Sequence, residues 1–404
     1  MSIPQAIQDD VPALTDWRRH LHKHPEVGYD LPETAEFVAK KLMDFGFDKI
    51  ETGIGRTGVV GTLRGNQGRR TKGRAIMLRA DMDALPMEEE TGLPYASIHP
   101  GKFHGCGHDG HTTCLLGAAK HLAATRNFTG TVYFCFQPAE EGGAGAKAMI
   151  DDGLFERYLP RSIYGAHNWP SMPVGWMGFK EGRMLAASNE FWITITGKGG
   201  HGARPHETHD PLVAGAQMVM DLQTIVSRAL DPVETAVLSV TQFNAGSATN
   251  VIPRKARLAG TLRSFSNDVM AQMMAEIELK CWHLSMSGRF KADVKFDEKP
   301  YPALINSPTP YKMASSVGID LCGETQCVLN PPAAMGSEDF AYYLLDYPVK
   351  TTGKVRKVPG CFMTFGNGMG GKMLHHPEYD FNDAAIPHMV AYWSRLVETA
   401  LPAA

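Results

Sequence analysis

Hydrophobic positions recur along this chain with two periods, and the switches between them outline its elements. In 14–22 (LTDWRRHLH) Leu14, Trp17 and Leu21 share a helical face; in 32–45 (PETAEFVAKKLMDF) Ala35, Val38, Leu42 and Phe45 do the same. Pro32 suits a first helical turn, and Gly46 ends the second helix. Short apolar runs at 57–63 (TGVVGTL) and 74–80 (RAIMLRA) predict buried strands, the second running into Asp81-Met82-Asp83. A helix is predicted over 111–123. A strand over 131–137 (TVYFCFQ) leads into Pro138-Ala139-Glu140-Glu141-Gly142-Gly143, and another over 162–167 (SIYGAH) ends on His167. Three predicted strands thus deliver carboxylates or imidazoles at their ends, where open α/β sheets place their chemistry.

The texture changes near 185. Residues 190–196 (EFWITIT) alternate like a half-buried strand, and 210–230 form a long amphipathic helix. Strands over 236–243 and 256–263, a helix over 267–286 and a strand over 290–297 complete a split βαβ pattern. The Pro-rich segment 299–310 reads as an exit linker, after which strand and helix signals resume. The expected architecture is therefore α/β, a mostly parallel sheet flanked by helices, with an inserted α+β, ferredoxin-like module. Its parts are 1–184, the insertion 185–298, and 299–404.

Composition narrows the class. A length of 404 residues favours two domains, and 43% hydrophobic with 21% charged residues is ordinary for a soluble globular chain. A formal charge of −3 argues against nucleic acid or an anionic membrane as partner. No uncharged apolar run reaches membrane-spanning length, and MSIPQAIQDD does not read as a secretory signal. Seven scattered cysteines point to reduced thiols and a cytoplasmic setting.

The candidate chemistry clusters at Phe103-His104-Gly105-Cys106-Gly107-His108-Asp109-Gly110-His111. A thiol, imidazoles and carboxylates together match the ligand set of zinc-like divalent ions. Cys106 and His108 lie two apart, so an extended backbone would aim both the same way; a buried structural cysteine beside a capping histidine is the bland alternative. His104 and His111 read as loop or cap residues, His111 with the option of orienting a ligand. Adjacent Glu140 and Glu141 need a cation nearby or a raised pKa if buried. A metal-bound Glu141 would leave Glu140 free to take a proton from water. Asp81 could orient an imidazole. His167 could be a ligand or a satisfied core histidine, and only one of His375 and His376 is expected to be a ligand. Further on, the glycine-rich turn holding His201 is a candidate for substrate contact. Asn250 and Arg263 carry groups suited to fixing a carboxylate, although a surface arginine is the commoner case. His20, His22 and His24 read as structural, and the role of Met335-Gly336-Ser337-Glu338-Asp339 stays open.

Taken together, RRHLHKHPEVGYD, LRADMDALPMEE, GCGHDGHTT, QPAEEGGAGAKAMI, GAHNWP, GKGGHGARPH, TNVIP, GSEDF and LHHPEYDFND run from 18 to 383. In that order they resemble the dinuclear-metal amidohydrolases and exopeptidases related to aminoacylase and bacterial glutamate carboxypeptidase. The branch most similar holds hippurate hydrolase, N-acyl-amino-acid amidohydrolases and auxin-conjugate hydrolases. The resemblance implies a zinc-exopeptidase-like catalytic domain interrupted by a dimerisation or lid domain. It implies two divalent ions, manganese or zinc, held by Cys106, His108, Glu141, His167 and His375, with Glu140 as general base. Asp81 matches the aspartate supporting a ligand histidine, and His201 a residue that reaches the other subunit's site and stabilises an oxyanion. Asn250 and Arg263 match residues that hold the substrate carboxylate. Arg79 stands where many exopeptidases have a ligand histidine, with Cys106 entering instead. The implied activity is cleavage of the amide bond of N-acyl-L-amino acids by a homodimer or homotetramer. The competing readings are a dipeptidase, a hydrolase of xenobiotic or hormone conjugates, and a non-catalytic metal-binding scaffold.

Overall fold

The computed structural model describes residues 3–66, 73–348, 353 and 355–403. It contains two compact units: Met1–Gly182 with Ile305–Pro332 and Asp339–Ala404, and Arg183–Leu304 with Ala333–Glu338.

The first unit opens with helices α1 (Gln5–Lys23) and α2 (Pro32–Asp44), then strands β1 (Lys49–Ile54), β2 (Gly58–Arg64) and β3 (Ala75–Asp81). Helix α3 (His108–Thr125), β4 (Thr131–Gln137), β5 (Ser162–Trp169) and β6 (Met177–Phe179) follow. The second unit supplies β7 (Ala187–Thr196), α4 (Pro211–Thr224), β8 (Ala236–Ala245), β9 (Lys255–Ser264), α5 (Asn267–Met286) and β10 (Lys291–Phe296). The chain then returns with α6 (Pro308–Cys322), β11 (Cys327–Leu329), β12 (Gly360–Gly366) and α7 (Ile386–Ala400).

In the first unit eight strands form one sheet in the order β1-β2-β4-β3-β5-β12-β6-β11. Its centre is parallel, β4 to β3 to β5 to β12, as is the β6–β11 edge pair. The other three pairings are antiparallel. Every residue of β3 and β12 is buried, as expected for strands covered by helices on both faces. Leu78, Phe134 and Phe136 of the sheet join Leu115 and Leu116 of α3 and Leu396 and Val397 of α7 in one core. Each such side chain contributes about 1.5–3 kcal/mol on burial. The parallel centre brings the C-terminal ends of β3, β4 and β5 together, and the loops after them share one edge.

Two elements differ from the sequence expectation. Helix α1 begins at Gln5 rather than 14 and continues through Pro12. The proline removes one backbone donor, but Ile7 and Leu14 on either side of it are both 1% exposed, and their burial outweighs the lost bond. The segment 299–310 is no plain linker. Ser188 and Tyr301 exchange backbone hydrogen bonds of 2.8 and 2.9 Å, and Ala303 N donates to Asn267 Oδ1 at 2.8 Å. These bonds tie the segment to the second unit as far as Leu304.

That second unit is an antiparallel sheet in the order β8-β9-β7-β10. Phe191, Ile193 and Ile195 alternate inward from β7 to meet Met218 and Leu222 of α4 and Met273 and Ile277 of α5. Both helices have side-chain N-caps, Asp210 accepting from Leu212 N and Ser266 from Val269 N. Strand order and connection are those of a ferredoxin-like module. No helix among the described residues is long and apolar enough to cross a membrane.

Helix α1 is fastened to the first unit by buried charge. Arg18 donates to Asp383 at 2.6 Å and to Asp380 at 2.9 Å. His22 Nδ1 donates to Asp109 Oδ2 at 2.8 Å, and its Nε2 lies 3.3 Å from Glu89 Oε1. Burial works against the imidazolium, but the hydrogen bonds to Asp109 and Glu89 override it and raise the His22 pKa to about 9. A folded-state pKa above the unfolded value gives stability that is complete below about pH 6.5 and lost as pH rises through 9. The expected contribution is about 3 kcal/mol. Urea unfolding between pH 6.5 and 9.5 should show this decline, and His22→Gln should flatten it. Equal slopes for the two proteins would remove His22 as its origin.

Candidate metal centre

Strand β3, interior to the sheet, ends on Asp81, and Asp83 follows two residues on at the same C-terminal end. Each clamps a different loop. Asp83 accepts the backbone N–H groups of Glu140 and Glu141 at 2.9 and 3.0 Å, and its carbonyl accepts from His108 Nδ1 at 2.8 Å. Asp81 accepts from His111 Nδ1 at 2.6 Å and from Arg79 Nη1 at 2.7 Å. Arg79 is itself held by Gln137 at 2.8 Å and Asp339 at 3.0 Å. Burial resists ionisation of Asp81, yet His108, His111 and Arg79 keep its carboxyl well below the usual range.

Cys106 and His108 converge by a different route from the extended backbone expected. Gly107 stands between them at φ 93° and begins α3, so His108 occupies the first helical position. A Cβ at Gly107 would lie 2.7 Å from both Asn168 Oδ1 and Tyr379 Oη. Only glycine meets both the left-handed conformation and the close approach. Gly107→Ala should cost about 1–3 kcal/mol and lower bound metal per chain, because it displaces the residues on either side. Chemical denaturation with elemental analysis measures both; wild-type values would contradict this account of the turn.

The side chains named from sequence meet in the first unit as two sets sharing one thiol. Cys106 groups with His108 and His167, and again with Glu141 and His375. Cys106 Sγ lies 3.3 Å from His167 Nε2, His375 Nε2 3.2 Å from Glu141 Oε1, and His108 Nε2 4.0 Å from Glu141 Oε1. Ligand atoms bonded to one ion at about 2.1 Å lie within about 4.2 Å of each other. Backbone carbonyls orient two imidazoles: Asp83 O takes the His108 Nδ1 proton, and Asn168 O takes that of His167 at 2.7 Å. The opposite nitrogens therefore face inward. Among the described residues His108 Nε2 is buried without a hydrogen-bond partner and faces Glu141 Oε1 at 4.0 Å. A buried, unpartnered imidazole nitrogen facing a carboxylate fits a cation shared between them.

Among these groups His167 is already in the form a metal requires, whereas His108 and Cys106 would each release a proton on binding one. Burial lowers His167 to about 3, so its imidazole is neutral, the form a metal requires. Burial also opposes charge on His108, but Asp81, Asp83 and Glu141 raise it to about 10. Burial, with Glu141 and Glu140 beside it, pushes the Cys106 thiol well up. A bound cation acts the other way, because a coordinating thiol is deprotonated. Glu140 is 6% exposed and groups with His108 and Glu141, outside both Cys106 sets.

His111 has both nitrogens engaged, Nδ1 with Asp81 and Nε2 accepting Asn168 N at 3.0 Å. It is a support for the cluster, as is Asn168, whose Nδ2 also bonds Tyr379. His104 is buried with neither nitrogen partnered among the described residues. Asp83 and Asn168 had no role in the sequence reading; the D-x-D alternation at a strand end was the available signal for Asp83. Ala139 and His375 hold positive φ of 54° and 63° in the loops carrying the cluster. Such strain gathers where function fixes the backbone, and His375 N is held by Gly105 O at 2.8 Å.

The remaining named residues belong to the second unit. His201 pairs with Val251 across a short two-stranded ladder, and Gly202 N donates to Asn250 O at 2.8 Å, so His201 and Asn250 are neighbours, both exposed. Arg263 stands on β9 opposite Ser188 and Val237, half-buried, with Nη1 donating to Leu262 O at 2.8 Å. Burial lowers its pKa, and it has no carboxylate salt-bridge partner among the described residues.

Residues 77–399 match the family described as Peptidase family M20/M25/M40, and the chain belongs to that family. It is a hydrolase of the M20 amidohydrolase group. The hippurate hydrolase of Campylobacter jejuni is 39% identical over 381 residues, 94% of either chain. An N-acetyl-L-cysteine deacetylase of Bacillus subtilis is 39% identical over 371 residues, 91% of this chain and 83% of that one. Among solved structures, Bacillus subtilis YXEP, described as a dinuclear metal binding peptidase from the M20 family, matches with a TM-score of 0.80. The two are 30% identical, over 98% of this chain and 100% of that one.

Proposed function

We propose that the protein hydrolyses the amide bond of N-acyl-L-amino acids, releasing a carboxylic acid and a free amino acid. The observation that carries the reading is Glu140: a buried carboxylate beside the ligand cluster but outside both sets that share Cys106. Cys106, His108, Glu141, His167 and His375 would hold two divalent ions, manganese or zinc. Bound there, the ions supply Lewis acidity to the amide carbonyl and to water. Glu140 takes a proton from the attacking water as the carbonyl carbon gains its oxygen, then returns it to the departing nitrogen. Asp81 holds His111, and through Arg79 the β3 end, so the cluster is fixed before substrate arrives.

His201 is assigned as donor to the developing oxyanion, reaching the site of a second subunit in a homodimer or homotetramer. Arg263 and Asn250 are assigned to the substrate carboxylate. Support comes from a half-buried guanidinium that forms no salt bridge among the described residues, Glu190 being its acidic neighbour. Hippurate and N-acetylcysteine, named for two relatives, share this design: an acyl group, an amide, and a free α-carboxylate.

A colorimetric amine-release assay with added manganese tests the reading across benzoyl-, acetyl-, long-chain acyl- and indoleacetyl-amino acids and a dipeptide. Release is expected from N-acyl amino acids and not from their carboxamide-capped forms. Faster cleavage of the dipeptide would replace the reading with a dipeptidase; no release from any member would leave a metal-binding scaffold.

A further inference from the structure

Of the seven cysteines, two meet away from the metal centre. Cys322 is the last residue of α6 and Cys327 the first of β11, with Gly323 at φ 85° and a short 3-10 turn (Glu324–Gln326) returning the chain between them. Their sulfurs lie 3.4 Å apart. Cys322 Sγ also donates to Gly318 O at 3.0 Å, and a Cβ at Gly318 would stand 3.2 Å from Cys327 Sγ. The same Cβ would stand 2.5 Å from the Phe179 ring, so the glycine admits that ring first and Cys327 beside it.

The two thiols are not equivalent. Cys322 is partly exposed, whereas the other six are buried. The hydrogen bond from Cys327 pulls the Cys322 thiol below its ordinary pKa, and the same bond pushes Cys327 up. Burial raises Cys106, Cys114, Cys135, Cys281 and Cys361. One partly exposed sulfur 3.4 Å from a buried one is the arrangement of an attacking and a resolving cysteine.

We propose that Cys322 and Cys327 form a thiol modification site that hydroperoxides convert to an intramolecular disulfide and that dithiol reductants restore. The Cys322 thiolate attacks one peroxide oxygen. The O–O bond breaks, a proton completes one water, and Cys322 becomes a sulfenic acid. Cys327 sulfur then attacks the Cys322 sulfur; the S–O bond breaks, and the hydroxide leaves as a second water with the Cys327 proton. Two thiols lose two electrons and two hydrogens, and hydrogen peroxide becomes two waters. Bond formation requires the sulfurs to close from 3.4 Å to about 2.05 Å. In the sheet β12 and β6 separate β11 from the His167-bearing β5, so the modification is independent of hydrolysis and of the metal assignment.

The test uses the full chain in its native state. After treatment with a few equivalents of hydrogen peroxide, free thiols are alkylated and the digest is mapped by mass spectrometry. A Cys322–Cys327 link lighter by about two hydrogens is expected. Alkylation of Cys322 should fall roughly tenfold or more, with recovery after dithiothreitol. In Cys327→Ser the link cannot form, and Cys322 should instead accumulate as a dimedone-trapped sulfenic acid. Wild-type protein in which Cys322 stays fully alkylatable, or ends as sulfinic acid with Cys327 free, overturns the proposal. The wild-type result decides even if the variant fails to fold.

Discussion

Glu140→Gln should leave a folded, metal-loaded protein whose turnover number falls by roughly 100- to 10,000-fold. The substitution keeps size and keeps an oxygen that can accept from Asp339 N, which approaches Glu140 Oε1 at 3.4 Å. What it removes is proton affinity. If Glu140 only lined the pocket, an isosteric amide would change little. If it were a ligand, metal content would fall with activity. The informative comparison is Glu141→Gln, whose native carboxylate lies 3.2 Å from His375 and 4.0 Å from His108. There, metal per chain should drop along with turnover. Elemental analysis and initial rates on the same preparations separate the cases. Near-normal turnover in Glu140→Gln would refute the base assignment, and lost metal would make Glu140 a ligand.

How far the sequence speaks for such residues depends on what kind of information each holds. TVYFCFQ is a buried strand on its own terms, and β4 has the same ends, Thr131 to Gln137. The candidate ligand types are legible because thiols, imidazoles and paired carboxylates beside glycines are chemically unusual wherever they fold. The supports were not. Asp83 looks like Asp81 in sequence, but one clamps the Glu140–Glu141 backbone and the other fixes His111. Hydrophobic period reports burial, not the identity of a hydrogen-bond partner. The neighbour of β5 is likewise a long-range fact: β12 pairs with it from about two hundred residues away, His167 standing opposite Thr364. The turn at Gly107 shows a third limit. Two-residue spacing suggested an extended chain, and the residues converge through a left-handed glycine and a helix start instead.

The two imidazoles His108 and His375 differ in depth of burial. His108 is fully buried and its Nε2 has no hydrogen-bond partner, whereas the His375 side chain is 54% exposed. If His108 is a ligand, replacing it by alanine takes away a donor that water cannot reach to replace. Replacing His375 leaves an opening where water can take the vacant position. His108→Ala should therefore lose most bound metal and nearly all activity, and His375→Ala should keep more metal while also losing turnover. Chelation of the wild-type protein gives the matching thermodynamic result. A cation bound to the folded state at a thousand times its Kd adds about 4 kcal/mol, so stripping it should lower the melting temperature by several degrees. In His108→Ala the same chelator should shift the melting temperature far less, since little cation remains to remove. Titration calorimetry and thermal melts with manganese or zinc read both effects. Equal metal affinity in wild type and His108→Ala would mean that the buried imidazole serves packing alone, and the set of Cys106, His108 and His167 would lose one of its three members.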